Sequence, residues 1–270
     1  QEDGNTWPAG ITVGDINNDG YDDVFVHNHP GSVVTRPSAL YANSGGTVSG
    51  STTATLGHPT AWGDLGDIDG DGDLELLTCA VHTCGHCPAA VYQQAVIYDI
   101  SASWELTRVW TSPTSGTGQT DNNDHRCEFG DVNGDGSLDV VTAGKWAYAY
   151  SSGTTTRGVR LYLNDGAGSI STTPDQTVSA TGTTTLVVGD VTGDGYDEIL
   201  FGDNTNVSIY GNDFNAAADT YVDGTAGLVL VAELAGVPGV TDVDDLTGDG
   251  VGDLVVYQGG EMKVLTQTCE

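Results

Sequence analysis

Five short acidic segments recur along the chain, and each carries oxygen-bearing side chains at the same spacing. Their first, fifth and ninth positions are always Asp or Glu, the third is Asp, Asn or Thr, and the sixth is Gly. Side chains at alternating positions of a tight loop can converge on one ion, and the seventh residue can add its carbonyl oxygen. Hard oxygen ligands in this number favour Ca²⁺ over Mg²⁺ or a transition metal. Acidic segments 1 to 5 cover residues 15–23, 67–75, 131–139, 190–198 and 245–253.

The fivefold recurrence favours calcium over metal-free turns, in which Asp, Asn and Gly are also common. An EF-hand needs an acidic residue at position 12, and these segments have Val, Thr or Phe there, so we predict about five calcium ions and no helical EF-hand. Thr at the third position makes segments 4 and 5 the weaker sites. The predicted ligands are Asp15, Asn17, Asp19, Tyr21 and Asp23; Asp67, Asp69, Asp71, Asp73 and Glu75; Asp131, Asn133, Asp135, Ser137 and Asp139; Asp190, Thr192, Asp194, Tyr196 and Glu198; and Asp245, Thr247, Asp249, Val251 and Asp253.

Short apolar runs before and after every acidic segment predict that each one joins two β-strands. A third strand follows in every unit, marked by an apolar residue and Tyr in four of them, and further short runs supply candidates for a fourth. Four antiparallel strands at this period predict an all-β, five-bladed β-propeller with a calcium loop between strands 1 and 2 of each blade. We expect one domain over residues 1–270, with blades at 7–57, 58–117, 118–181, 182–236 and 237–270, the last closed by residues 1–6.

The pattern D-x-[DNT]-x-D-G-x-x-[DE], together with the Tyr-bearing third strand, resembles the FG-GAP or VCBS repeat family, whose calcium-loop blades also build the head of integrin α-subunits. The resemblance covers the whole chain and implies a calcium-binding propeller, with roles in adhesion, glycan binding or polysaccharide cleavage. Five units stand here in place of the integrin seven, and directly before the acidic segments the Phe-Gly pair is kept only at Phe129 and Gly130, with Val or Leu before Gly in segments 1, 2 and 4. The fold alone does not choose among these roles.

The net charge limits the classes of molecule that this chain can bind, because 38 acidic side chains against 7 basic ones give a net charge of −31. Such a chain repels nucleic acid and anionic lipid. Its apolar runs are too short to span a bilayer, and no signal peptide is visible, so we predict neither nucleic-acid binding nor membrane insertion. Half of the acidic residues lie in the five segments, which indicates that the charge serves cation binding.

Five cysteines and six histidines raise the question of a second metal. A calcium protein of this type is expected to be extracellular or at the cell surface, where disulfides form. Cys79 with Cys127, and Cys84 with Cys87, is one arrangement among several, and Cys269 is then a candidate for a free thiol or an intermolecular link. The alternative is a copper or zinc site. Its predicted ligands are His27, His29, His82, His86 and His125.

Three loops between strands 2 and 3, at residues 27–39, 81–94 and 144–158, are much longer than their counterparts in blades 4 and 5. Long loops on a rigid scaffold commonly carry recognition, so we predict a ligand surface over blades 1 to 3, opposite the calcium loops. The predicted ligand-binding residues are Arg36, Trp62, Arg126, Lys145, Trp146, Tyr148 and Tyr150.

The favoured hypothesis is an extracellular, calcium-stabilised binding or adhesion module that recognises a glycan or a protein. One alternative is a secreted enzyme, either a polysaccharide lyase with Tyr148 or His125 as base beside Arg126 or Lys145, or an oxidoreductase at the transition-metal site. Another is a subunit of a surface filament that assembles through its last blade or Cys269. Binding is favoured over catalysis because the spacing fixes no acid and base pair.

Overall fold

The computed structural model describes residues 7–29, 37–79, 94–113, 124–144, 158–180, 183, 185–212, 214–215, 220–221 and 227–266. Regular structure in these ranges consists of β-strands. The same ranges hold no helix with the length and apolar character needed to cross a membrane.

The strands form five main antiparallel sheets, which follow one another along the chain. Sheet 1 contains β1 (Trp7–Gly14), β2 (Asp23–His29), β3 (Ala39–Tyr41) and β6 (Ala54–Thr55), with β4 (Asn43–Ser44) and β5 (Thr47–Val48) as a small hairpin. Sheet 2 contains β7 (Trp62–Gly66), β8 (Glu75–Cys79), β9 (Val96–Ile100) and β10 (Leu106–Thr111). Sheet 3 contains β11 (Asp124–Gly130), β12 (Asp139–Gly144), β13 (Gly158–Tyr162) and β14 (Gln176–Ser179).

Sheet 4 contains β15 (Thr185–Gly189), β16 (Glu198–Gly202), β17 (Asn206–Asn212) and β20 (Leu228–Ala235), with β18 (Phe214–Asn215) and β19 (Thr220–Tyr221) as a second small hairpin. Sheet 5 contains β21 (Val240–Asp244), β22 (Asp253–Gln258) and β23 (Glu261–Leu265). It has three strands within the described residues, and the segment predicted to close it, residues 1–6, lies outside them.

This strand order confirms the predicted fold class, an all-β five-bladed β-propeller in which each sheet is one blade. In every blade the acidic segment connects the first strand to the second, as predicted from the flanking apolar runs. Blades 1 and 2 belong to one compact unit, and blades 4 and 5, with most of blade 3, belong to another.

Several central strands are buried on both faces, because side chains on either side of these strands pack into apolar clusters. All five residues of β8, of β13 and of β16 are buried. In segments 1, 3 and 4 the second residue is apolar and anchors the loop in such a cluster; Ile16, for example, is 3% exposed and belongs to the same cluster as Phe25 and Leu40. The core therefore fixes the loops that carry the acidic side chains.

A disulfide joins Cys79, at the end of β8, to Cys127 in β11, with 5.8 Å between the two Cα atoms. It is one of the pairings that the sequence left open, and it links blade 2 to the first strand of blade 3. The other three cysteines, Cys84, Cys87 and Cys269, lie outside the described residues, so assembly through Cys269 stays a prediction.

Removing this disulfide is expected to destabilise the chain substantially. The two cysteines are 48 residues apart, and loop-closure entropy for that separation predicts a loss of about 4 kcal/mol in the free energy of unfolding for Cys79→Ala/Cys127→Ala. Urea denaturation of the variant and of the wild type, both at fixed calcium, measures the difference. A loss below about 1 kcal/mol would contradict the disulfide's structural role.

Candidate metal centres

Two left-handed residues give every acidic segment its tight turn. The Gly at position 6 has a positive φ in all five segments, from 85° at Gly250 to 92° at Gly72. Position 4 is also left-handed in all five, with φ of 56° at Asn18 and 71° to 76° at the four glycines. Gly and Asn adopt this conformation at low cost, so both positions suit these residue types. The sequence analysis identified only the Gly at position 6.

The acidic side chains are held in place by backbone amides of their own segment. In segment 3, Asp131 accepts hydrogen bonds from the amides of Asp135 and Gly136 at 3.0 and 2.8 Å, and Asp135 accepts from the Ser137 amide at 2.9 Å. The bonds from position 6 to position 1 and from position 7 to position 5 recur in all five segments. Positions 1 and 5 are therefore oriented by the turn itself.

The carboxylate at position 9 is buried in every segment, although it is surrounded by other acidic groups. Its exposed fraction runs from 0% at Asp23 and Asp139 to 5% at Glu75. Burial, with a smaller contribution from neighbouring carboxylates, raises the pKa of Glu75, Asp139 and Glu198 to about 7 and raises the pKa of Asp23. A positive charge near these groups would offset the cost of ionising them.

Two asparagines missed by the sequence analysis support this carboxylate in blades 1 and 3. The backbone amide of Asn43 donates to Asp23 Oδ1 at 2.6 Å, and that of Asn164 donates to Asp139 Oδ1 at 2.9 Å. Their side-chain amides donate to the carbonyls of the residues just before these two acids. Both Asn residues come two positions after the third-strand Tyr, and this Tyr-x-Asn pattern is the signal that could have identified them.

The donor set fits a hard divalent cation, because the ligand atoms are carboxylate, amide, hydroxyl and carbonyl oxygens. In segment 2, one carboxylate oxygen from each of Asp67, Asp69 and Asp71 lies within 4.8 Å of the others. In segment 3, Asp139 Oδ2 is buried and has no hydrogen-bond partner of good geometry. The backbone amide of Val132 lies near enough to lower the pKa of this carboxyl slightly, against the larger effect of burial. An oxygen of this kind has capacity left for an ion.

Segment 5 departs from the other four. Its second residue, Leu246, is 54% exposed, whereas Ile16, Ile68, Val132 and Val191 are buried. In segments 1, 2 and 4 the amide at position 2 donates to the carboxylate at position 9, but in segment 5 the amide of Thr247, at position 3, donates to Asp253. The predicted ligands of segment 5 are thus held by fewer contacts with the core.

Two of the predicted ligand-binding residues lie together at the end of the sheets away from the acidic segments. The Arg126 guanidinium lies over the Trp62 ring, 4.1 Å from its centroid. Trp62 on β7 pairs with Cys79 on β8, and Arg126 directly precedes Cys127 on β11, so each member of the pair is next to one half of the disulfide. The other five residues, Arg36, Lys145, Trp146, Tyr148 and Tyr150, lie outside the described residues and stay predictions.

Comparisons with known proteins agree with this geometry. Residues 131–201, from the first residue of acidic segment 3 into β16, match the model of the FG-GAP-like repeat family. This range is therefore similar to an FG-GAP-like repeat. No curated protein matches the chain. The crystal structure of a protein from Lactobacillus plantarum matches with a TM-score of 0.52 and 16% identity, over 96% of this chain and 70% of that one, and at this identity the likeness shows the fold alone.

Outside the FG-GAP-like repeat, His27 lies in a buried hydrogen-bond network of blades 1 and 2. It is 1% exposed, and its Nε2 and Nδ1 atoms lie 2.8 Å from the hydroxyls of Thr12 and Thr60. Thr12 also donates to the Gly63 carbonyl, and Thr60 lies 2.7 Å from the Ser38 hydroxyl. Both ring nitrogens of this predicted transition-metal ligand are therefore engaged with hydroxyl groups.

The other predicted transition-metal ligands are not brought together by described side chains. His29 and His125 lie on β2 and β11, but their side chains are outside the described part of the chain, as are His82 and His86. The copper or zinc site therefore stays a prediction. His58, which was not among the predicted ligands, contacts the Tyr98 hydroxyl through Nε2 at 3.1 Å.

The stability of blades 1 and 2 is expected to depend on pH through His27. Burial lowers the pKa of its imidazole from 6.5 to about 3, so in this interval the unfolded chain takes up a proton that the folded chain does not. His27 therefore lowers the free energy of unfolding only below pH 6.5. Between pH 6.5 and about 3 its contribution falls by up to about 1.4 kcal/mol per pH unit as the pH falls. Urea denaturation of wild type and His27→Gln between neutral and acidic pH should show a smaller acid loss in the variant.

Comparing the two proteins isolates His27, because the acidic side chains with raised pKa are common to both. A histidine ring-proton titration on the folded wild type provides a second measurement. If the His27 signal moved with an ordinary pKa near 6.5, the buried network would not hold the ring neutral.

Proposed function

We propose that this chain is an extracellular or cell-surface binding module that calcium stabilises and that recognises a glycan or a protein. The FG-GAP propeller fold suggests a binding or adhesion-like module. Two features support the finer proposal. The acidic segments offer a cation site in each blade, and the opposite ends of the sheets carry an aromatic and cation pair.

The observation that carries the calcium proposal is the buried carboxylate at position 9, which recurs in all five blades. It begins the second strand of each blade and lies beside the carboxylates of positions 1 and 5. Without a cation these groups repel one another, and the buried one is costly to ionise. Calcium, when bound, supplies the positive charge that lets all of them ionise together.

The protein residues order these sites before a cation binds. Backbone amides orient positions 1 and 5, so little ordering is left for the binding step. The apolar residue at position 2 keeps segments 1 to 4 attached to the core. Cation binding at such sites adds directly to folding stability, because the unfolded chain holds no preformed loop.

Removal of calcium is expected to lower the melting temperature, since a site filled at a hundred times its Kd stabilises by about 2.7 kcal/mol. The measurement is thermal unfolding in excess chelator and again after calcium is restored, together with elemental analysis of the protein. Asp135→Ala should remove one site from the stoichiometry in calorimetric titration.

The matched control is Asp99→Ala, which removes an exposed Asp from β9 with the same change in charge. It should leave the stoichiometry unchanged. Identical melting with chelator and with calcium, and no bound metal, would reject the calcium proposal.

The recognition end is proposed from the Trp62 and Arg126 pair. A guanidinium stacked over an indole ring can pair in its own plane with a carboxylate, in a two-point geometry, and the indole holds it in that orientation. Arg is also scarce in this chain, where Lys and Arg total 7. The pair therefore favours an acidic saccharide over a neutral one, and we propose that the long loops of blades 1 to 3 extend this surface.

Binding to saccharides is expected to depend on this pair. The probe is a panel of matched neutral and uronate-containing oligosaccharides, measured by calorimetry with calcium present. Trp62→Ala removes the cation–π contact that orients Arg126, and Arg126→Lys removes the bidentate contact with the carboxylate. Each should weaken binding of the uronate members by about tenfold, because either contact contributes on the order of 1–2 kcal/mol. Trp146→Ala/Tyr148→Ala should act in the same direction.

Two controls test the location of the surface. Tyr257→Ala removes an aromatic residue that is 49% exposed on β22 of blade 5, and Arg108→Ala removes an exposed Arg from β10. Neither should change saccharide binding. Equal losses in the control and test variants would place recognition elsewhere on the chain.

A further inference from the structure

Acidic segments 3 and 4 contact each other through one side chain that the predicted ligand set does not include. Asp197, the eighth residue of segment 4, accepts a hydrogen bond at Oδ2 from the Asp131 amide at 2.8 Å. Its own amide donates to the Asp131 carbonyl at 3.0 Å. Asp197 thus holds both backbone polar groups of Asp131, which is the first predicted ligand of segment 3.

The same relation holds between segments 4 and 5. The amide of Gly252, the eighth residue of segment 5, donates to the Asp190 carbonyl at 2.8 Å. Asp190 is the first predicted ligand of segment 4. In both pairs, therefore, the residue directly before the ninth ligand of one segment holds the first ligand of the preceding segment.

Close packing reinforces both contacts. The Tyr196 ring of segment 4 lies against Gly134 of segment 3, where an added Cβ would come within 1.9 Å of the ring. The Val251 side chain lies against Gly193 in the same way, with an added Cβ at 2.7 Å. Neither pair of segments can shift independently by much, because close-packed groups transmit displacement.

These contacts connect the candidate cation sites by a short covalent and hydrogen-bonded path. Glu198 is the buried ninth ligand of segment 4, and the peptide bond joins it to Asp197. A cation that orders Glu198 also orders Asp197, and Asp197 in turn fixes the backbone of Asp131. A second cation in segment 3 then has less ordering left to supply, which strengthens its binding.

We propose that cation binding in acidic segments 3 and 4 is positively coupled, with Asp197 as the positioning residue that transmits occupancy between them. This inference rests on the proposed function, since it requires cations in the acidic segments. Coupling is reciprocal, so filling segment 3 strengthens segment 4 by the same factor. The bond from Gly252 to Asp190 extends the coupling to segment 5.

Site-resolved calcium titration tests the proposal on the full chain labelled with ¹⁵N. The Gly136 and Gly195 amides donate to Asp131 and Asp190 respectively, so their chemical shifts report segments 3 and 4. The Gly20 amide, which donates to Asp15, reports segment 1. Asp194→Ala, which removes the fifth ligand of segment 4, should raise the calcium midpoint at Gly136 by at least about fivefold and leave Gly20 unchanged.

A double-mutant cycle then assigns the coupling to Asp197. In an Asp197→Ala background, Asp194→Ala should no longer change the midpoint at Gly136. Asp197→Asn keeps an oxygen acceptor without the charge and should preserve most of the coupling. Asp197→Leu has no acceptor, should abolish the coupling as Ala does, and serves if the Ala variant fails to fold. The matched control is Asp22→Ala, which removes the exposed Asp at the eighth position of segment 1.

The outcomes separate this inference from the function on which it rests. If none of the three glycine amides of the wild type responded to calcium, the proposed function would be wrong, and the coupling with it. If calcium bound but the midpoint at Gly136 were the same in wild type and Asp194→Ala, only the coupling would be overturned. A fivefold shift that persisted in Asp197→Ala or Asp197→Leu would overturn the role of Asp197.

Discussion

The structure depends on one constraint, a carboxylate buried at the start of the second strand of every blade. Asp23, Glu75, Asp139, Glu198 and Asp253 are at most 5% exposed, in a chain of net charge −31. Their burial follows from the fold, because the second strand is central in its blade. The loop before each strand offsets the cost with backbone amides, and in blades 1 and 3 an Asn after the third strand adds one more. The causes that set the pKa of Asp23, Glu75, Asp139 and Glu198 are burial, backbone and side-chain hydrogen bonds and neighbouring carboxylates.

The five blades meet this constraint to different degrees. Blades 1 to 4 anchor the loop through a buried apolar residue at its second position, whereas Leu246 in blade 5 is 54% exposed. The loop of blade 5 is instead hydrogen-bonded to the preceding loop, where the Gly252 amide donates to the Asp190 carbonyl. Neighbouring loops are therefore parts of one connected system in blades 3 to 5, and a change at one candidate site reaches the next through backbone groups.

The opposite ends of the sheets are built by different interactions. There the chain uses a disulfide, a buried network of hydroxyls around a neutral His27, and a guanidinium over an indole ring. These three contacts lie in blades 1 to 3. The acidic segments recur in every blade at one end of the sheets, whereas the described contacts at the other end differ between blades. This arrangement is suited to recognition on a rigid scaffold.

The sequence by itself determined the fold class and the positions of the acidic segments, because both depend on local patterns. Apolar runs on either side of each segment set the strands, and the Gly at position 6 set the turn. Alternation along β2 also places His27 on the buried face with Asp23 and Phe25, a signal that the sequence analysis did not use. Tertiary structure alone decided the contacts between distant residues. Asp131 contacts Asp197, and Trp62 contacts Arg126, because strands and blades bring them together, and no spacing in the sequence encodes which residues face each other across that gap.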